Sequence, residues 1–298
     1  MAPSTNTKPQ NKTNMRNFIT LMMIALTWMV QAQIQTPQPS AAAAVSTVVG
    51  LTDVKVTYAR PQMKGRKIYG DGSSFLVPYG ELWRTGANAG TVISFSDDVT
   101  VEGNKVAKGE YLIFTWPGAN EWTVSLYSDV SLGGNTAGYD KAKEAANFKV
   151  KPTKLTETVE TFTVNISDIA ADNKSANIQI AWENTSVKIK VGVDFDEKVM
   201  KAIADNTKVR PGNLITAANY YYDTKRDLKQ AIAWMEQGIA EGNPNAFWNI
   251  HRLAQMKKDA GDKAGAKAAA EKSLELAKKA DSDFGYIKLN EDFLKTLK

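Results

Sequence analysis

Val54-Lys55-Val56-Thr57-Tyr58 and Phe162-Thr163-Val164-Asn165-Ile166 each place an apolar residue at every second position, the period of a strand with one buried and one wet face. A helix would return its apolar residues every three or four positions, so both stretches read as strands. Further strands are expected at residues 92–101, 109–115, 122–127, 177–182 and 187–193, with Glu102-Gly103-Asn104 and Pro117-Gly118 as turn signals between some of them. No long helical pattern interrupts these runs. An antiparallel β-sandwich over residues 45–195 is therefore expected in preference to a fold of alternating strands and helices.

Beyond that point the period becomes helical. Asp196 caps a first expected helix that runs to Ala204, and Gly212 or Asn213 starts a second that runs to Tyr222. Four more are expected at 227–240, 245–259, 263–279 and 282–297, each bounded by Gly, Asn-Pro or Asp. The fold class is thus α+β and multidomain, with an all-α array of helical hairpins over residues 196–298. Within the array the stretch from Arg226 to Ala231 recurs 35 positions later from Gly261 to Ala266, and seven residues further on Gly238-Ile239 is matched by Ser273-Leu274. Small residues at these helix crossings resemble the tetratricopeptide repeat over residues 213–280, although the Trp-Leu-Gly-Tyr signature of its first helix is not intact. Two such units bury little apolar surface alone, so the array is expected to serve as a support docked on the sandwich, with Tyr220-Tyr221-Tyr222 marking the junction.

Before the strands, Arg16 precedes an apolar run of 13 residues at 18–30, and Val30-Gln31-Ala32 follows with small residues. That order reads as a secretory signal peptide cleaved before Gln33, with translation starting at Met15. A membrane-spanning helix needs about 20 apolar residues, so no stable membrane anchor is expected. The chain has no cysteine, which excludes a lipid joined to a thiol at the cleavage point, disulfides and thiolate chemistry. Residues 1–32 are assigned to the leader and 33–44, with two prolines and an alanine run, to a flexible tether. The mature protein is expected in the periplasm or outside the cell. Losing Lys8, Lys12 and Arg16 with no acid lowers the net charge from +5 to +2. With no dense Lys/Arg block, nucleic acid is not an expected partner.

Conventional catalytic sets are scarce. His251 is the single histidine, so a metal site of the His-Glu-x-x-His type cannot be built, and a helix-packing role is expected for it. Asp194, Asp196 and Glu197 read as a helix start rather than a calcium site. Residues 133–138 have two-glycine spacing, but Tyr139-Asp140 stands where a phosphate loop needs Lys and Ser/Thr. No cofactor and no metal are expected.

The segment from Tyr58 to Asn88 concentrates arginine, aromatic and glycine residues. Guanidinium forks recognise carboxylate or phosphate, and aromatic planes stack on rings, so Arg60, Arg66, Tyr79, Trp83, Arg84 and Asn88 are the candidate ligand-binding residues. The competing reading has the same arginines pinning an irregular crossover through backbone carbonyls. The expected function is a non-enzymatic binding or scaffold protein of the bacterial cell envelope, taking a small anion, glycan or peptide, or an envelope protein partner. The alternative is an envelope glycan hydrolase with Glu81 as its acid. Trp83, Trp122 and Trp182 are expected in the core.

The same segment carries a resemblance. Arg60-Pro61, Lys64-Gly65-Arg66-x-Ile68-x-Gly70, Leu76-Val77-Pro78-Tyr79-Gly80-x-x-Trp83-Arg84-Thr85-Gly86-Ala87-Asn88, Gly109-Glu110-Tyr111-x-Ile113-Phe114, Pro117 and Trp122 together resemble the exported family known as domain of unknown function 2911, over residues 48–193. The chain departs from that pattern in the insertion Asp71-Gly72-Ser73-Ser74 and in Trp116, where an aliphatic residue is expected. The resemblance implies a fold boundary and an exported protein and brings no catalytic residues.

Overall fold

The computed structural model describes residues 36–207 and 210–297; the leader, its cleavage point and the start at Met15 lie outside them. The chain divides into two compact units that meet between Val193 and Asp194.

The first unit contains strands β1 (Ala41–Val49), β2 (Thr52–Arg60), β3 (Tyr69–Gly70), β4 (Val77–Pro78), β5 (Thr91–Phe95), β6 (Val99–Val101), β7 (Asn104–Val106), β8 (Gly109–Trp116), β9 (Trp122–Tyr127), β10 (Glu144–Val150), β11 (Thr153–Ser167) and β12 (Ser175–Val193). Six of them form one sheet in the order β1-β2-β5-β8-β9-β10, four form a second in the order β11-β12-β6-β7, and β3 and β4 pair on their own. Every pairing within the two larger sheets is antiparallel. The alternation that began the reading is realised: Val54, Val56 and Tyr58 are buried, as are Phe162 and Val164. The two sheets meet through these rows. Tyr58 sits edge-on to Phe162 at 5.9 Å and its hydroxyl donates to the Val164 carbonyl at 3.2 Å.

Three differences from the sequence reading have local causes. The alanine run assigned to the tether opens β1, where Ala41 faces Arg60 and Ala44 faces Thr57; ladder pairing with β2 overrides the weak strand propensity of alanine. The single strand expected at 92–101 is two, because at Ser96-Asp97-Asp98 the chain leaves one sheet for the other. The strands expected at 177–182 and 187–193 are one continuous β12. Glu102 and Gly103 both take positive φ, 47° and 81°, as a two-residue hairpin turn of type I′ between β6 and β7 requires.

Among its described residues the second unit holds six helices: α1 (Asp196–Asn206), α2 (Pro211–Asp223), α3 (Leu228–Glu241), α4 (Phe247–Asp259), α5 (Lys263–Lys279) and α6 (Tyr286–Lys295). The 35-residue repetition has structural counterparts. The Asp227 carboxylate caps α3 at the Gln230 N–H (3.0 Å), and Asp262 caps α5 at the Gly265 N–H (2.8 Å). Ala231 and Ala266 are both fully buried, and a β-carbon on Gly238 would lie 2.7 Å from Ile215, so α2 and α3 approach closely there. His251 is buried in α4 between the rings of Tyr286 and Phe293. Its Nδ1 donates to Asn290 Oδ1 (2.7 Å), Asn290 Nδ2 donates to Ser273 Oγ (2.9 Å), and Ser273 donates to the Phe247 carbonyl (2.7 Å). That chain of bonds holds α4, α5 and α6 together. The three tyrosines are spent inside this unit: Tyr220 donates to Asp196, Tyr222 to Asp259, and Tyr221 packs on Trp234. No helix among the described residues is long and apolar enough to cross a membrane.

Candidate functional site

From Tyr69 to Gly90 the chain stays outside the two larger sheets: β3 and β4 pair with each other, and Trp83 bridges to Thr115 of β8. Trp83 exchanges backbone bonds with Thr115 (2.8 and 2.9 Å) just where β5 stops pairing with β8. The turn that follows is strained. Thr85 and Asn88 have φ of 53° and 57°, a conformation rare for a β-branched residue. Thr85 holds it by a hydroxyl–hydroxyl hydrogen bond with Thr115 at 3.0 Å and by its carbonyl accepting from the Thr91 hydroxyl. Gly86 takes φ 125°, where any side chain is strained, and Thr91 Oγ1 stands 3.2 Å from where a β-carbon would sit, a tight contact.

This construction opens a cleft of about 390 Å³. Trp83 and Trp182 stack at its base, 6.0 Å apart and 18° from parallel, with Phe162 edge-on to both at 5.6 and 5.7 Å. The Trp182 indole is fixed by donating to the Glu160 carbonyl at 3.1 Å. Pro39, Pro61 and Leu76 supply apolar walls, Gln62 an amide, and Lys64, Arg66 and Arg84 three cations. Among the described residues no carboxylate lines the cleft. Among the described residues none of these three cations is held in an ion pair.

The candidate residues distribute unevenly around it. Arg66, Trp83 and Arg84 line the cleft; Arg60 lines a neighbouring depression that shares Pro39, Gln62 and Lys64 with it. Each arginine also bonds backbone. Arg60 Nε donates to the Phe162 carbonyl (3.3 Å) and its NH2 to Thr163 Oγ1 (3.0 Å); Arg66 donates to the carbonyls of Met63 (2.9 Å) and Gln62 (2.6 Å); Arg84 donates to that of Gly134 (3.2 Å). A guanidinium has five N–H donors, so these bonds orient Arg66 and Arg84 and leave donors over. Asn88 donates to the Ser40 carbonyl at 3.3 Å and stands outside the cleft, tying down the strand entry. Tyr79 is also outside it. Its phenol is pushed upward, first by burial and then by the charges of Asp71 and Glu183. Glu81 is exposed and lines neither hollow. Trp122 and Trp182 are buried as expected, while Trp83 is half-buried because one edge reaches the cleft.

Two contributors were missed in the sequence. Lys64 stands two positions before Arg66 in the same basic cluster, a signal that could have found it. Trp182 is read as core from its strand, and that is where it lies; only the structure shows that its edge is also cleft floor. Within β8, Trp116 follows the alternation that turns Phe114 to the outer face of the sheet.

The chain's comparison with known families gives one match, over residues 40–191, to the family described as protein of unknown function DUF2911. The chain belongs to this family. The DUF2911 match thus takes in β1 to β11 and most of β12 and ends before the helices. No curated protein and no solved structure matches the chain.

Proposed function

We propose that this DUF2911 protein is an exported, non-enzymatic binding protein of the bacterial cell envelope whose cleft takes a small ligand with an anionic group beside a flat apolar face. The observation that carries the reading is the set of Lys64, Arg66 and Arg84 around the Trp83–Trp182 base with no acid among the lining residues. Uncompensated cations favour an anion, guanidinium forks favour carboxylate or phosphate, and the Trp83 edge and the prolines favour a ring. An acidic sugar combines both features. The leader at residues 15–32 is the support for export. Exposed Trp248 and Phe284, 43% and 76% accessible in the helical unit, favour a second role for that unit in holding an envelope protein.

The test is calorimetric titration of the full chain with glucuronate, glucose and inorganic phosphate. Glucuronate is expected to bind best, and Arg66→Ala or Lys64→Ala to weaken it about 10-fold or more, the worth of one charge-assisted hydrogen bond. Equal affinity for glucose and glucuronate, or binding indifferent to both variants, would overturn the reading.

A further inference from the structure

A second hollow lies on the outer face of the six-stranded sheet, and its chemistry is the opposite of the first. Residues 129–143 fold over this face and seat Leu132 and Tyr139 on Leu112, Phe114 and Tyr127. Beyond Tyr139 the face opens into a groove of about 530 Å³, within the range of small-ligand clefts. Trp116 forms one wall, with Tyr139 edge-on to it at 5.4 Å, and Thr123, Glu121, Glu144, Asn147 and Lys141 supply polar groups.

Glu144 is held from two sides. The Tyr139 hydroxyl donates to its Oε1 at 2.5 Å, and Asn147 Nδ2 donates to its Oε2 at 3.0 Å. A phenol has one proton, so Tyr139, having given it to Glu144, accepts from the Ser125 hydroxyl 2.7 Å away. Burial first, and then this bond to Glu144, push the Tyr139 phenol far above its usual range, so it remains a donor at any physiological pH. Each carboxylate oxygen keeps a second acceptor position and the Asn147 amide a second N–H. The groove therefore presents oriented acceptors and a donor beside an indole. Glu121 is paired with Lys149 at 2.6 Å, leaving Glu144 and Lys141 as the remaining opposite charges on the lining. Nothing there selects an anion.

We infer that this groove is a second ligand site, for a neutral sugar whose neighbouring hydroxyls bond Glu144 and Asn147 while its C–H face lies against Trp116. Sugar hydroxyls both donate and accept, which suits a fixed carboxylate beside an amide, and aromatic side chains take the apolar face of a ring. The full chain is titrated with maltose, cellobiose, laminaribiose and xylobiose, following binding by calorimetry, with circular dichroism as the check on folding. At least one disaccharide is expected to bind, Trp116→Ala to abolish that binding, and Glu144→Gln, which keeps the side chain's shape, to weaken it about 10-fold. Saturating glucuronate, the ligand proposed for the other cleft, is expected to leave it unchanged. If Trp116→Ala does not fold, Glu144→Gln decides. No binding of any of the four at millimolar concentration would overturn the assignment. So would binding that survives Glu144→Gln, or binding that glucuronate competes away.

Discussion

Truncating Arg84 to alanine separates a binding role from a structural one. The side chain is exposed and makes one hydrogen bond, from NH1 to the Gly134 carbonyl at 3.2 Å. Breaking such a bond costs about 0.5–1.5 kcal/mol, and because water reaches this surface the lower half of that range applies. For a fold of this size 1 kcal/mol moves the melting temperature by about 2–4 °C, so Arg84→Ala is expected to lower it by no more than about 4 °C. Its effect on an anionic ligand is larger. A charge-assisted bond is worth about 1.5–3 kcal/mol, a loss of about 10–100-fold in affinity. Thermal melting by circular dichroism and calorimetric titration with glucuronate on the same preparation give both numbers. A drop of more than about 10 °C with affinity unchanged would show that Arg84 clamps the loop at Gly134 and that the cleft reading is wrong.

Phe162 is fully buried between Tyr58, Trp83 and Trp182, so Phe162→Ala should cost about 3–5 kcal/mol, read as an earlier denaturant midpoint of the strand-rich unit; a change below about 1 kcal/mol would contradict the packing described. Tyr220 and Tyr222 are both pushed up to about 12, by burial first and then by donating to Asp196 and Asp259 respectively. A raised phenol favours the neutral form in the folded state, so its contribution is complete below the unfolded value near 10 and is lost as pH climbs from about 10 to 12. Following phenolate absorbance in Tyr220→Phe and Tyr222→Phe should show the late-titrating phenols disappear; if the variants remove phenols titrating near 10, the hydrogen bonds are not those described.

The strand rows around Val56 and Val164 and the six helices among the described residues were legible because each carries its own period, although Asp196, expected as the cap of α1, is its first residue and Phe195 takes the cap position without a side-chain bond. Asp227 and Asp262 even mark the helix starts they cap. β1 was not legible: four alanines have no apolar alternation, and only the partner strand makes them a strand. β10 could have been found, since Ala146, Phe148 and Val150 alternate and are buried. For the cleft, sequence pointed to Arg66, Trp83 and Arg84, because clustered guanidinium and indole groups are a local signal. It also pointed to Tyr79 and Asn88, which share the cluster in sequence but not the cleft. The contribution of Trp182 depends on a strand nearly a hundred residues away, and no local pattern reports that.

The central claim, an anion held by Lys64, Arg66 and Arg84 over the Trp83–Trp182 pair, is tested most directly by the indole N–H signals in an NMR titration with glucuronate. The account predicts that the Trp83 and Trp182 signals move and saturate together while those of Trp116, Trp234 and Trp248 stay in place. Signals that all remain still, or that move only outside the Trp83–Trp182 pair, would contradict it.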